Sequence, residues 1–291
     1  MDSVRGTGVT LFSNSTSADY AVTDAVTAFN SNGFNYGVDP TCNTNGSTNV
    51  FWQWRASNAT AVTNTAGSIT STVSANTTAG FSVVTWTGTN SNATVGHGLG
   101  VAPSMIILKP RNASDNWPVW HSSFAVNEYV YLNLTNAKTS LSTFMNSTLP
   151  SSTVISLGTW ANVNTNTQTM VAYCFTPIAG YSAFGSYTGN GSTDGTFVYT
   201  GFRPRFLMVK NASASGNGWI IIDTSRDTYN QTTLNLFPNS SGAETNSTTY
   251  SSDILSNGFK IRATDPAING SSNTLIYMAF CESPFKFSNA R

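Results

Sequence analysis

The chain carries little charge. Of its 291 residues, 9% are Asp, Glu, Lys or Arg, and 13 basic side chains balance 13 acidic ones. Ordinary globular proteins carry about 25% charged residues. A nucleic-acid groove or an anionic lipid surface needs clustered Lys and Arg, so the composition argues against both kinds of partner. Neutral Ser, Thr, Asn and Gly fill the polar positions instead.

Cysteine and long apolar runs are also scarce. Cys42, Cys174 and Cys281 are odd in number and far apart, which predicts neither a disulfide framework nor a zinc site. No run of about twenty apolar residues occurs, so we expect no transmembrane helix and no membrane insertion. The first residues lack the basic and apolar segments of a signal peptide, so export by the ordinary secretory route is not expected.

Sustained helical periodicity is missing as well. Short runs of β-branched and aromatic residues alternate with Gly, Asn and Ser turns, which is typical of β-sandwiches and barrels. Phe81–Trp86 alternates between two faces, whereas Met105–Leu108 is continuously apolar and is predicted to be buried on both faces. Lys109 and Lys210 each follow such a strand, and we expect their side chains to reach the solvent at the sheet end.

A long internal repeat is the main positive feature. The stretch Phe81–Trp120 recurs as Tyr181–Ile222, with Gly88 matching Gly189 and Lys109 matching Lys210. These pairs lie 101 residues apart, as in 189 minus 88. We call this stretch the A half and the stretch that follows it the B half. A repeat of about 100 residues predicts tandem β-sandwich units that are jelly-roll-like in size.

Three B halves but only two A halves occur. The B halves begin near Asp2, His121 and Asp223, and each is predicted to end in an aromatic strand. These strands are Val50–Trp54, Val171–Phe175 and Ile276–Phe280. The order is therefore B, A-B, A-B. Since open sheet edges invite pairing, we expect the first B half to pair with the second unit or with a neighbouring chain.

These observations divide the chain into four parts. Residues 1–57 form an N-terminal half-unit, and residues 58–78 form a linker or an edge strand. Residues 79–178 and 179–291 each form a β-sandwich unit, because Pro177 and Gly180 mark a boundary between them.

Candidate catalytic and metal-binding residues are few. His97 and His121 have no metal-ligand spacing and no accompanying G-x-S-x-G motif. The glycine-rich run 96–100 precedes a strand, which indicates a tight bend and not a phosphate loop. The acidic residues are scattered singly, whereas glycosidic cleavage needs a pair of carboxyl groups. We therefore expect no catalytic residue, no metal and no cofactor.

Two Asp-Pro turns raise the question of calcium. Asp39 with Asn43, and Asp265 with Asn269, are oxygen-rich and could hold Ca²⁺. An Asx turn that begins before a proline explains the same residues and is the favoured interpretation.

Aromatic residues provide the remaining candidate site. Exposed Trp and Tyr rings stack on sugar faces and are enriched at interfaces. Most of the seven Trp and eleven Tyr occupy alternating strand positions and are expected in the core. Trp117 and Trp160 lie in polar surroundings, so they are expected to be exposed and are the candidates for binding carbohydrate.

The repeated motifs resemble a known repeat domain. The run T-G, then G-x-x-P, four apolar residues, Lys and a closing Trp, followed by S-N-G-F and Y-x-A-F, resembles a repeat domain in virion proteins of tailed bacteriophages, which is common in marine phages. The segment Pro284–Arg291 also resembles the end of such proteins. The resemblance covers almost the whole chain outside 58–78, and it brings no catalytic residues.

The resemblance implies a non-enzymatic virion protein, most directly a tail-fibre or tailspike component that contacts the host surface. Expected partners are copies of the same chain, as a trimer by analogy with such fibres, other virion proteins and a host surface glycan. Two alternatives remain open: a capsid decoration or head-fibre protein, and a polysaccharide depolymerase.

Overall fold

The protein is all-β, as the sequence predicts. The computed structural model describes residues 1–57 and 59–281, so Pro284–Arg291 lies outside the described residues. Over that range the chain forms 23 strands, three one-turn α-helices and one 3₁₀ turn, Thr248–Tyr250. None of the helices in the described part is long and apolar enough to cross a membrane.

The strands are short and follow one another with few interruptions. Residues 1–57 contain β1 (Val9–Thr10), β2 (Tyr20–Ala21), β3 (Val26–Asn30), β4 (Gly33–Tyr36) and the helix α1 (Pro40–Asn43). The next six strands are β5 (Val62–Asn64), β6 (Ser71–Asn76), β7 (Phe81–Thr87), β8 (Ala93–Gly96), β9 (Met105–Pro110) and β10 (Pro118–His121).

The second and third B halves contain the other two helices. The second B half contains β11 (Glu128–Tyr131), β12 (Thr139–Ser140), β13 (Val154–Leu157), α2 (Ala161–Asn164) and β14 (Thr169–Phe175). It is followed by β15 (Ser182–Thr188), β16 (Phe197–Tyr199), β17 (Pro204–Asn211), β18 (Trp219–Asp223), β19 (Leu234–Asn235) and β20 (Thr245–Asn246). The third B half ends with β21 (Ser252–Leu255), β22 (Gly258–Ile261), α3 (Pro266–Asn269) and β23 (Thr274–Cys281).

The chain folds into two compact units that interleave along the sequence. The first contains residues 1–12, 16–117 and 142–175. The second contains residues 13–15, 118–141 and the described residues from Thr176 onward.

The first unit is built on an antiparallel sheet with the order β9-β14-β7-β6-β5. Its central strand β14 is flanked on both sides, and Val171, Ala172 and Cys174 are fully buried. Met105–Leu108 in β9 is buried on both faces, which confirms the prediction from its continuous apolar run. Residues 58–78 supply β5 and β6, the outer strands of this sheet.

The second unit is a two-layer sandwich. The sheet β15-β23-β17-β18 packs its apolar side chains against the sheet β16-β22-β21. Leu207, Tyr277 and Ile220 from the first sheet and Phe259 and Ile261 from the second belong to one buried cluster. Alternate residues along each strand enter this cluster, as the pleat of a β-strand requires. The short strands β10, β11 and β12 pair in that order in the same unit.

Two sequence expectations about these strands are wrong. The first concerns the lysines: both are fully buried, and their Nζ atoms donate to backbone carbonyls, Lys109 to Thr16 O and Ala113 O, and Lys210 to Asn217 O. Loop carbonyls close over the ammonium groups, so the side chains do not reach solvent. Burial lowers the pKa of each lysine to about 8.

The second wrong expectation concerns Val50–Trp54, which lies outside any strand. The other two aromatic runs, in β14 and β23, form strands because A-half strands flank them on both sides. Within the described residues no such strands flank residues 50–54.

Candidate interaction site at the helix ends

The two tryptophans proposed to bind carbohydrate differ in burial. Trp117 is 4% exposed, and its indole Nε1–H donates to Phe12 O at 3.2 Å. Trp219, the repeat copy of Trp117, is likewise buried and donates to Tyr131 O at 2.8 Å. The expected exposure of Trp117 is therefore wrong, because the ring fills the core and its N–H binds a backbone carbonyl.

Trp160 is half-buried and stays at the surface. It precedes α2 at the helix N-terminus, where the other two B halves have aspartate, and its ring lies edge-on to Phe144 with 5.7 Å between centroids. Of the two candidate residues, Trp160 alone is partly exposed.

Both histidines are held as neutral rings by backbone groups. Nδ1 of His97 accepts the Leu99 N–H at 3.2 Å, and its Nε2 lies 3.2 Å from Ser151 O. Nδ1 of His121 accepts the Ser123 N–H at 3.1 Å, and its Nε2 lies 3.3 Å from Tyr277 O. An acceptor at Nδ1 and a donor at Nε2 define the neutral Nε2–H tautomer. Burial lowers the pKa of both, that of His121 to about 4.

The histidine at 121 replaces an aspartate found in the other two B halves. Asp2 Oδ1 accepts from Val4 N and Arg5 N, and Asp223 Oδ1 accepts from Ser225 N and Arg226 N. His121 supplies the same acceptor through Nδ1. Its role at this position is therefore to close a turn.

The two Asp-Pro turns cap helices. Asp39 Oδ1 accepts the Thr41 N–H, and Asp265 Oδ1 accepts the Ala267 N–H, each at 2.8 Å. These are N-cap bonds, in agreement with the Asx-turn interpretation. Among residues 1–57 and 59–281, no three His, Cys, Asp or Glu side chains gather where they could hold a metal ion.

The asparagine that ends each helix makes the most informative contacts. We call Asn43, Asn164 and Asn269 the helix-end asparagines. Asn164 is fully buried: its Oδ1 accepts the Thr89 N–H at 2.9 Å, and its Nδ2 donates to Ser91 O at 2.6 Å and to Gly158 O at 3.2 Å. One amide thus binds both a turn of the A half and the start of its own helical turn.

Asn269 repeats these bonds in the second unit. Its Oδ1 accepts the Asn190 N–H at 3.0 Å, and its Nδ2 donates to Ser192 O and Ala263 O, each at 2.8 Å. Asn190 lies 101 residues after Thr89, and Ser192 lies 101 residues after Ser91. Both contacts on the A half therefore fall at repeat-equivalent positions.

A glycine lets the A-half turn approach the helix end. A Cβ on Gly88 would overlap the Thr165 carbonyl oxygen, and a Cβ on Gly189 would overlap the Gly270 carbonyl oxygen. The close approach allows backbone bonds on either side, from Gly88 N to Gln168 O at 2.8 Å and from Gly189 N to Asn273 O at 2.9 Å. The glycine of the repeated Thr-Gly dipeptide is thus required by packing.

A family model described as a domain of unknown function, DUF7483, matches residues 1–284. The chain belongs to the DUF7483 family. No curated protein and no solved structure matches it. The family match begins with the first B half, so that segment is part of the DUF7483 domain.

In the first B half of this DUF7483 chain, Asn43 keeps only part of the pattern. Its Nδ2 donates to Gly37 O at 2.6 Å, the bond that Asn164 and Asn269 make to Gly158 and Ala263. The side chain is exposed, and within the described residues no Thr-Gly turn reaches its Oδ1. The half of the site that would bind an A half is therefore open.

Exposed aromatic rings lie in the same B half of the DUF7483 chain. Phe29, Tyr36 and Phe51 are 42%, 50% and 43% exposed. Tyr36 and Phe51 are stacked with centroids 5.9 Å apart, and Phe34 meets Phe51 edge-on at 5.0 Å. The three segments that carry these rings, β3, β4 and residues 50–54, contain no charged residue. Together they form an uncharged aromatic surface.

An ion-pair cluster anchors the start of this B half. Arg5 Nε donates to Asp2 Oδ2 at 2.6 Å, its Nη1 to Asp19 Oδ1 at 3.1 Å and its Nη2 to the Tyr173 hydroxyl at 3.1 Å. Burial opposes ionisation of Asp2, but Arg5 outweighs it and holds the pKa of that carboxyl below its usual range. The segment that precedes the aromatic surface is therefore fixed to β14 through Tyr173.

Sequence reasoning missed the helix-end asparagines as a set. It singled out Asn43 and Asn269 only as possible calcium ligands. The signal was present, because P-T-C-N, A-N-V-N and P-A-I-N each end in Asn at the same position of a B half.

Proposed function

We propose that this DUF7483 protein is a non-enzymatic structural component of a bacteriophage particle, most directly a tail fibre or tailspike that contacts the host cell surface. The observation that carries the proposal is the use of its polar side chains. Both histidines and the three helix-end asparagines bind backbone groups of turns and helix ends. Side chains used in this way support a structural role.

The proposed location in a phage particle rests on the sequence resemblance. The Thr-Gly and Trp landmarks that resemble phage virion repeats also pack A halves onto B halves, through Gly88, Gly189, Trp117 and Trp219. The low charge and abundant Thr, Asn and Gly suit an assembled fibre. A trimer of this chain, contacts with other virion proteins and a host glycan at Trp160 are parts of the same proposal.

A capsid decoration or head-fibre protein is the second candidate. The uncharged aromatic surface formed by β3, β4 and residues 50–54 favours it, because exposed aromatic patches mark protein interfaces. In that role the surface would bind the capsid lattice or a neighbouring copy.

Localisation on the intact particle tests the proposal. Gold-labelled antibody against this chain should decorate the distal tail. Label spread over the head would favour the decoration protein instead, and particles without label would overturn both. Release of reducing sugars from host envelope glycans by the purified chain would contradict the non-enzymatic assignment.

A further inference from the structure

We propose that the outer edge of β16 in the second unit pairs with the same edge of a second copy of this chain. The two strands would run antiparallel about a two-fold axis at Val198 and join two β16-β22-β21 sheets into one. This inference does not rest on the virion assignment, and the two-fold contact is separate from the trimer proposed for a fibre.

β16 is an edge strand with backbone groups that point away from its sheet. Within the described residues it pairs only with β22. Thr196 O accepts from β22 at 3.1 Å, and Thr200 N donates to the residue before β22 at 3.0 Å. Because bonding alternates along an antiparallel pair, Val198 also faces β22. The N–H and C=O groups of Phe197 and Tyr199 therefore point toward the outer edge.

The matching strand in the first unit is β8, which pairs with β13 as β16 pairs with β22. His97 N donates to the residue before β13 at 3.2 Å, a bond that has its counterpart at the end of β16. By the same alternation, the outward-facing residues of β8 are Thr94 and Gly96. They take the positions that Phe197 and Tyr199 take in β16.

In the first unit the chain itself covers this edge. Thr94 O accepts the Ile69 N–H at 3.0 Å, and Thr94 N donates to the Ser68 hydroxyl at 2.9 Å. Gly96 O accepts from the Ser71 hydroxyl at 2.9 Å. Residues 68–71 therefore bind the outward-facing groups of β8, which shows that the fold accepts a further segment along this edge.

The same edge is open in the second unit. Within residues 1–57 and 59–281, no hydrogen bond reaches the outward-facing backbone groups of Phe197 or Tyr199. Their side chains are 45% and 67% exposed. β16 carries neither a charge nor a proline, two of the features that keep natural edge strands from pairing. The strand is therefore available to a further strand.

The outward-facing groups of β16 are self-complementary. If two copies of the strand run antiparallel with Val198 opposite Val198, Phe197 of each copy lies opposite Tyr199 of the other. Opposite residues whose backbone groups point at each other exchange both of their hydrogen bonds. A two-fold axis generates the second such pair from the first, so every outward-facing group of both strands gains a partner. This symmetry identifies the occupant as a second copy.

The side chains of β16 fit the same arrangement. Val198 points into the core and is 6% exposed, so Phe197 and Tyr199 lie on the opposite, outer face of the sheet. Each phenylalanine ring would pack against a tyrosine ring of the second copy, and aromatic cross-strand pairs stabilise sheets. The covered strand β8 has Thr94 and Gly96 at these positions. Aromatic rings thus occur in the copy of the strand whose edge is open.

Sedimentation equilibrium of the full chain tests the pairing. β16 has three residues, so the contact is smaller than the ~1,200 Å² of stable interfaces and should be reversible. We expect the mass to rise from 31.0 kDa toward twice that value between about 1 μM and about 1 mM protein. Over the same range, amide hydrogen exchange in residues 197–199 should slow by about fivefold or more, with exchange in β23 unchanged.

Charged variants test the register of the two strands. Phe197→Lys combined with Tyr199→Lys puts like charges opposite each other in both pairs, and should weaken association by about tenfold or more. Phe197→Lys combined with Tyr199→Glu puts opposite charges opposite each other, and should restore association to within about tenfold of the unchanged chain. Both side chains are exposed, so neither variant disturbs the core. Tyr229→Lys changes an 83% exposed ring of the same unit and should leave association unchanged.

Four results would overturn the inference. A mass of 31.0 kDa at every concentration would mean that the chain does not pair with itself. Slow exchange of residues 197–199 in the monomer would mean that another segment of the chain covers β16. Association that the double-lysine variant leaves unchanged would place the contact elsewhere. If the lysine–glutamate variant associates as poorly as the double-lysine variant, the strands do not meet in the two-fold register.

Discussion

His121 shows how backbone partners fix the chemistry of a single side chain. Both ring nitrogens are engaged, one by the Ser123 N–H and one with Tyr277 O, and the ring is fully buried. The pKa of a histidine in the unfolded chain is 6.5, and burial lowers the pKa of His121 to about 4 in the folded chain. Between these values the unfolded state binds more protons, so stability is lost as the pH falls.

The first prediction is that His121→Asn reduces acid sensitivity. The difference between 6.5 and about 4 corresponds to about 3 kcal/mol of unfolding free energy lost on acidification. Asparagine does not titrate, and its Oδ1 can still accept the Ser123 N–H, as Asp223 accepts from Ser225. Urea unfolding at pH 7.5 and pH 4.5 should show a pH effect smaller by about 2 kcal/mol in the variant.

Ser122→Ala is the control, because it alters the same turn without removing a titrating group. An equal pH effect in His121→Asn and in the unchanged chain would mean that folding does not lower the pKa of His121.

Sequence alone could not separate Trp117 from Trp160. Both tryptophans lie beside polar residues, and the local sequence does not show which one ends an A-half strand against the core. The repeat contained the answer, because Trp117 matches Trp219 and the position recurs where each A half closes. Burial follows from that position and not from the neighbouring residues.

At the scale of the element, the one-turn helices α2 and α3 are important because each ends in a buried asparagine. Asn269 is fully buried and bonds to Asn190 N, Ser192 O and Ala263 O. The second prediction is that Asn269→Ala destabilises the chain by about 2–4 kcal/mol, because several buried backbone groups lose their partner. Urea denaturation at constant pH measures the loss.

Asn43→Ala is the matched comparison within the same chain. Its side chain is exposed and bonds only to Gly37 O among the A-half and helix-turn contacts described, so its loss should cost less than about 1 kcal/mol. Equal losses for the two variants would contradict the assignment of the A-half bonds to the buried asparagine.

Strands were predicted correctly from the sequence where the described chain provides neighbouring strands for them to pair with. Met105–Leu108 forms a strand buried on both faces because β14 and the layers around it are present. Val50–Trp54 has equal β propensity but forms no strand. Propensity describes a fit to a pleated surface, and within residues 1–57 and 59–281 no strand pairs with residues 50–54.

At the scale of the whole molecule, stability depends on β5 and β6, which form the outer edge of the sheet in the first unit. β6 pairs with β7 over five residues, from Thr72–Thr85 to Asn76–Phe81. β7 contributes Val83 and Val84, which are 2% and 0% exposed. A chain of residues 79–291 would leave this strand at the sheet edge.

The third prediction is that residues 79–291 are less stable than residues 58–291 by about 3 kcal/mol or more. The longer fragment keeps β5 and β6 over the apolar side chains of β7, and full burial of a valine is worth about 1.5 kcal/mol or more. Both fragments lack Asp2 and Arg5, so the comparison isolates the two strands. Thermal unfolding of the two fragments at equal concentration provides the measurement, and coincident transitions would show that β5 and β6 contribute nothing.

The helix-end asparagines have a consequence for the medium in which the protein can work. Their bonds join uncharged amides to peptide groups. Dissolved ions screen charges, with a Debye length of about 10 Å at 0.1 M and about 3 Å at 1 M, but they scarcely weaken short contacts between buried dipoles. The junction between A and B halves therefore keeps its strength from fresh water to brine.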